Sequence, residues 1–457
     1  MRRAERRESS PHERAAGSGG PALQIFTRPL LAVAIAGALL AGPGPAIAQD
    51  EEIGIEITGD PGSRLALAVP PTVAGGGARL TDAAEIGRTL RDDLEFSGWF
   101  GLLDARGEGR IPSARLDEPS AWQAVGASYL ATSRLDIAGD RAHITLRLME
   151  TGGGTVLLHK TWGGLAPGDF RRLAHTAADA VVETLTGTPG IAQTKISFVA
   201  KTGAAKEVYL MDYDGARVRK LTTTGVINLS PSWSPDARRL TFLSFKGRKP
   251  SIYLLDEDGR VTTLHPAGGE LNNAPDFSPD GNRLAFSSDR DDNSEIYLYD
   301  LSTGRERRLT RHPAIDTAPT WSPDGRQIAF TSDRSGSPQI HVMNDDGSGV
   351  RRLSWEGRYN ESAAWSPDGG RLAFVSRIAG RFQIVIHELS SGREVVITKG
   401  PGNKENPRWA PDGRHLVFSG NMTGEYQIYS IRNDGTSLRR LTRGAPAWTP
   451  DWSPPGR

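Results

Sequence analysis

At 457 residues, 37% of them hydrophobic and 24% charged, the chain is of a globular type with room for two or three domains, which excludes disorder or coiled coil as a description of the whole. It contains no cysteine, so disulfide staples, thiolate metal sites, cysteine nucleophiles and iron-sulfur clusters are excluded. Its 53 glycines and 30 prolines follow no G-x-y period and suit many short strands joined by turns.

Residues 1–48 read as a secretory signal. A basic start leads into the apolar run Leu30 to Leu40 and then to Ala46-Ile47-Ala48, the small-residue pattern that a signal peptidase accepts, which places cleavage between Ala48 and Gln49. The apolar run is short for a spanning helix, which needs roughly 20 residues; a retained anchor is the alternative. Arg6-Arg7 is followed by Glu8 and lies far from the apolar run, so the general secretory route is expected over the twin-arginine one. Removal of the segment takes six arginines and three acids and leaves a net charge of −2, which argues against a dedicated nucleic-acid or anionic-membrane binder and against membrane insertion after cleavage.

The stretch from Gln49 to Asp60 alternates Ile53, Ile55 and Ile57 with Glu52, Gly54 and Glu56, the period of a strand, beside a terminus freed by cleavage. Residues 49–187 as a whole read as a mixed helix and strand domain. Strands are expected at Leu65–Val69, Ser128–Asp136, Ala142–Met149 and Thr155–Trp162. Asp82-x-x-Glu85 reads as a capping box opening a helix through about Phe96, with Ile86, Leu90 and Leu94 on one stripe; a second helix is expected at Phe170–Leu185. The triplets Gly75–Gly77 and Gly152–Gly154 match no phosphate-loop spacing and read as loop and hairpin. Residues 188–195 form a linker.

Residues 196–457 carry a repeat. Trp233, Phe277, Trp321, Trp365, Trp409 and Trp452 each open a Ser-Pro-Asp-Gly-like turn and fall 44, 44, 44, 44 and 43 residues apart. The unit Ala318-Pro-Thr-Trp321, Gln327-Ile-Ala-Phe-Thr331, Gln339-Ile-His-Val-Met343 and Val350-Arg-Arg-Leu353 gives four short strands, one propeller blade. Proline presets the turn and aspartate bonds its own backbone, so Asp236, Asp280, Asp324, Asp368 and Asp412 read as turn formers; a catalytic residue is needed once, not five times. The aromatic side chains are expected between blades. Ile196 to Thr222 supplies three strands of a unit lacking its first, and Ala447 to Ser453 is a first strand with nothing after it. Joining them closes a ring of six blades without an open seam. The expected fold class is therefore an α+β N-terminal domain followed by an all-β six-bladed propeller.

These features, in this order, resemble the TolB family, the periplasmic component of the Tol-Pal envelope system. The resemblance extends to Leu94–Asp104, His175–Gly187, Met211-Asp-Tyr-Asp-Gly215 and blade-closing segments such as Val350-Arg-Arg-Leu353; the departures are the long arm before the signal and Pro455 at the place of the last turn aspartate. It implies a periplasmic adaptor without enzymatic activity or cofactor, which binds the lipoprotein Pal on its propeller and TolA through its mature N-terminus and supports outer-membrane integrity and cell division. In each blade the loop leading into the first strand opens on the face opposite the Ser-Pro-Asp-Gly turns. The polar ring so formed gives the candidate Pal site Asn228, Leu271, Asn272, Asn273, Ala274, Asp316, Thr317, Asn360, Glu361 and Glu405, within which Ala274 and Thr317 correspond to the family's Pal-binding region. The alternative is that these polar residues cap turns. The candidate TolA site is Glu52, Ile53, Ile55, Ile57 and Asp60.

A peptidase propeller needs a hydrolase domain with G-x-S-x-G, and the chain has no such pentad. A sugar-active propeller needs a converging acid, arginine or metal cluster on its axis, and the nine histidines show neither H-x-x-x-H nor H-E-x-x-H spacing.

Overall fold

The computed structural model describes residues 64–104, 111–166, 169–247, 249–264 and 272–455. The signal segment, its cleavage site at Ala48 and Gln49, and the candidate TolA residues Glu52, Ile53, Ile55, Ile57 and Asp60 lie outside the described residues, as does Leu271.

The N-terminal domain runs β1 (Leu65–Ala68), β2 (Val73–Ala74), α1 (Leu80–Ser97), β3 (Phe100–Leu103), α2 (Pro119–Gln123), β4 (Tyr129–Ala138), β5 (Arg141–Glu150), β6 (Val156–Leu165) and α3 (Phe170–Thr186). Its sheet has the order β3-β1-β4-β5-β6, with β2 added on β4; β1 is parallel to both neighbours, and β4, β5 and β6 form an antiparallel meander. The stripe Ile86, Leu90 and Leu94 of α1 meets Leu173, Ala177 and Val181 of α3 over Ile144, Leu146 and Leu148 of β5. Two expectations change. Helix α1 starts before Asp82, after Arg79, whose position has no side-chain cap; Asp82 lies in the first turn and pairs with Arg79 at 3.0 Å. The capping box is thus absent, because Leu80 and Thr81 extend the helix outward. The four-residue β3 was not expected.

The rest of the chain is six four-stranded blades. Numbered by their innermost strands, blades 1 to 6 begin with Asn228–Trp233, Asn272–Phe277, Asp316–Trp321, Asn360–Trp365, Lys404–Trp409 and Ala447–Trp452. Blade 6 is composite, since Ala447–Trp452 pairs antiparallel with Lys195–Thr202, which continues into Ala205–Asp212 and Arg219–Lys220. The expected closure is therefore the one formed.

The turn chemistry holds in detail. Ser234, Ser278 and Ser322 donate to Asp236, Asp280 and Asp324 at 2.5, 2.5 and 2.6 Å, and each aspartate accepts the backbone N–H two residues on. These bonds hold the turn carboxylates below their usual pKa range against partial burial. Trp321 and Trp409 sit among residues of the preceding blade, and the guanidiniums of Arg283 and Arg371 from that blade stack on them at 4.7 and 4.8 Å.

Candidate functional site at the propeller mouth

Each innermost strand runs from the mouth toward the Ser-Pro-Asp-Gly face, and the N-terminal domain packs on that second face. Phe96 stacks on His415 at 4.8 Å, the His415 ring nitrogen lies 2.9 Å from the Phe96 carbonyl, and Arg414 covers Trp99 at 3.7 Å. Helix α1 is capped by Gly98, whose left-handed φ of 71° favours glycine and which lies against the Arg432 guanidinium of the propeller. Asp93 of α1 lies 2.7 Å from the His175 ring of α3 and accepts the Tyr213 hydroxyl of blade 6 at 2.5 Å; all three are buried. One continuous hydrophobic core joins Leu90 and Leu173 to Tyr213, Val417 and Trp452. The domain thus occupies the turn face and leaves the mouth open.

At the mouth the first residue of each innermost strand is buried. Asn228 donates to Glu207 at 2.9 Å and to the Lys206 carbonyl at 2.8 Å; Asn360 donates to Gln339 and to the Glu356 carbonyl at 2.8 and 2.7 Å. Asp316 accepts from Arg334 at 2.7 Å and Asn272 from Arg290 at 3.3 Å. At these four positions the side chain turns inward and bonds to the adjoining strand and loops, the arrangement of the turn-capping alternative.

The next two positions line the mouth. Asn273, Ala274, Thr317, Glu361 and Glu405 are half-buried. Asn273 accepts the Ser230 hydroxyl at 3.2 Å and so bridges blades 1 and 2. Tyr359 donates to Glu361 at 2.9 Å and Tyr426 to Glu405 at 2.6 Å. Burial raises the Glu361 pKa, with the Glu405 charge adding to the rise and the Tyr359 bond opposing it.

The third position of each innermost strand forms a ring that the repeat alone did not reveal. The third residues of the innermost strands, Ser230, Ala274, Ala318, Ser362, Asn406 and Thr449, all have φ between 44° and 55°, and at each the ladder to the second strand shifts register. Five are followed by Pro231, Pro275, Pro319, Pro407 and Pro450, which cannot donate to a ladder, so the strand bulges toward the axis. This repeated proline inside a strand was the available signal. The throat it forms encloses about 70 Å³.

Two positions deeper, Arg408 reaches Asp451 at 3.3 Å and opposes the charge of Asp276. Asp276 accepts the Trp321 N–H and Asp451 the Trp233 N–H, both at 2.8 Å across a blade junction. Burial pushes the Asp451 carboxyl up to about 7, against Arg408 and the Trp233 N–H and with help from the Asp276 charge.

The two halves of this geometry have counterparts among known proteins. A family model described as the TolB beta propeller domain matches residues 182–456, and one described as the TolB amino-terminal domain matches residues 53–157. The Tol-Pal system protein TolB of Geobacter sulfurreducens is 38% identical over 200 residues, 43% of this chain and 46% of the relative; that of Dinoroseobacter shibae is 37% identical over 218 residues, 46% and 49%. The matched stretch thus spans about half the length of these curated relatives. The crystal structure of TolB from Acinetobacter baumannii superposes with a TM-score of 0.77 at 28% identity, covering 86% of this chain and 97% of that one. With the propeller model spanning more than half of the residues and the amino-terminal model lying over the domain beneath it, the chain belongs to the TolB family.

Proposed function

We propose that the chain is a non-enzymatic periplasmic adaptor of the Tol-Pal system, which holds Pal at the propeller mouth and TolA at its mature N-terminus and so supports outer-membrane integrity and cell division. The observation that carries this reading is the placement of the N-terminal domain: it covers the turn face and leaves the mouth free, where Ile227, Phe245 and Ile315 stand exposed around the half-buried polar ring. Exposed apolar groups encircling a polar centre suit a protein partner. The throat supports the same reading, since about 70 Å³ accommodates a few waters, whereas small-molecule sites measure roughly 300 to 1,000 Å³. The names of the relatives place them in the Tol-Pal system.

Within this proposal Asn273, Ala274, Thr317, Glu361 and Glu405 receive Pal, and the segment with Glu52, Ile53, Ile55, Ile57 and Asp60 is offered to TolA as an added strand. If segment and mouth are linked, each partner alters the affinity of the other by roughly 5- to 150-fold. The test is a mature variant lacking Gln49 to Asp60, titrated separately with the periplasmic parts of TolA and Pal. TolA binding is expected to vanish while Pal binding persists at a changed affinity; undiminished TolA binding contradicts the assignment.

A further inference from the structure

The mouth edge of blade 4 brings an exposed aromatic side chain together with several exposed cations. Its entry loop exposes Trp355 to 71%, the most exposed aromatic side chain among the described residues. The ring is fixed rather than loose: the Arg352 guanidinium lies 4.7 Å from its centre, and the Arg352 Nε donates to the Ser354 carbonyl at 2.6 Å. Beside the loop projects the hairpin Arg377–Phe382, with Ile378 exposed near its tip. Loop and hairpin form one unit, because the Arg377 N–H donates to the Tyr359 carbonyl at 2.9 Å and the Tyr359 and Phe382 rings pack at 5.5 Å.

Loop and hairpin carry Arg358, Arg377 and Arg381, and the next entry loop carries Lys399; all four are exposed, and none takes part in an ion pair among the described residues. Glu356 is the one exposed acid in the same loops. Elsewhere on the mouth face Arg290 pairs with Glu306, Arg308 with Asp291 and Glu295, and Arg334 with Asp316, while Arg311 and Arg443 stand singly in their loops. A local excess of exposed cations gives this edge a positive potential that favours an anionic surface.

We infer that this edge of blade 4 is a peripheral docking site for an anionic phospholipid surface. A fixed indole and an isoleucine at the apex, ringed by guanidinium and ammonium groups, are the side chains that settle at the boundary between headgroups and acyl chains, the apolar groups below the phosphates and the cations among them. An acidic protein is the other class of partner that could cover this edge, and the test below separates the two. No helix among the described residues is long and apolar enough to cross a membrane. The near-zero net charge argues against a wholly basic binder, and the patch is a local excess balanced elsewhere. The N-terminal domain occupies the opposite face and does not obstruct it. The inference is independent of the partner assignments above.

The test is co-sedimentation of the mature chain with vesicles of phosphatidylcholine alone or mixed with phosphatidylglycerol, at low and raised salt. Binding is expected to the anionic vesicles, to fall with salt, and to be slight on phosphatidylcholine. Arg377→Gln with Arg381→Gln should lower partitioning about 30-fold, since each cation near an anionic surface contributes roughly 1 kcal/mol, about five-fold. Trp355→Ala should weaken binding too, and brominated acyl chains should quench fluorescence in the parent and less in Trp355→Phe. Equal binding to both vesicle types, or undiminished binding of the double variant, overturns the inference. So does loss of Pal binding in the variants while vesicle binding is kept, which would make the patch a protein contact.

Discussion

Asp451 shows how one side chain of the throat links structure to pH. Its carboxyl has a pKa of about 7 in the folded ring and about 3.9 in an unfolded chain. Between those values the folded state keeps a proton that the unfolded chain has released, so this group's contribution to stability falls as pH rises from about 4 to about 7. Asp451→Asn keeps an acceptor for the Trp233 N–H and removes the titration. The melting temperature of the variant relative to the parent is therefore expected to rise with pH through that window; a difference independent of pH would contradict the assignment. Ala274 carries a second prediction at this scale. Its φ of 49° already lies in the left-handed region, where a β-branched side chain is strained. Ala274→Val is expected to destabilise the ring by about 1 to 3 kcal/mol, read by denaturant unfolding, so lost Pal binding in that variant would mix strain with a changed surface. Thr317 has no such backbone constraint, and Thr317→Ile is the cleaner probe of the mouth.

At the scale of elements, the closing strand of blade 6 is the point on which the ring depends. Ala447–Trp452 pairs with Lys195–Thr202, the Trp452 indole donates to Thr194 at 2.8 Å, and Asp451 reaches both Arg408 and the Trp233 N–H. Deletion of Ala447 to Arg457 unpairs an edge and exposes the core that the two domains share. The truncated chain is expected to aggregate or to become protease-sensitive; a monomer with the parent's melting temperature would show that closure lies elsewhere. This closure was legible beforehand because it follows from the 44-residue period alone, as do the turn aspartates, whose partners lie within a few residues. The meander β4 to β6 was legible within about three residues at each end because its alternation is local. Other features were not. Strand β3 is four residues long, contains Gly101, and pairs in parallel with Leu65–Ala68, far off in sequence. Asn228 and Asn360 read as exposed loop ends because their partners Glu207 and Gln339 lie 21 residues away in both cases. Asp93 and His175 lie 82 residues apart, and only the fold brings them to each other and to Tyr213.

On the scale of the whole molecule, the two faces of the propeller divide the labour. One is joined to the N-terminal domain by a shared core and by the buried Asp93, His175 and Tyr213 cluster, so ring and domain form a single packed unit. The other presents the ring of half-buried polar groups and exposed apolar side chains that a partner can cover. The most direct test of this division is calorimetric titration of the Pal periplasmic domain into the mature chain, into Thr317→Ile at the mouth and into Asp346→Ala, an exposed position on the opposite face. One saturable site is expected, weakened about ten-fold or more by Thr317→Ile, as for a clash at a central contact, and unchanged by Asp346→Ala. Pal binding that survives Thr317→Ile intact and is lost in Asp346→Ala would contradict it.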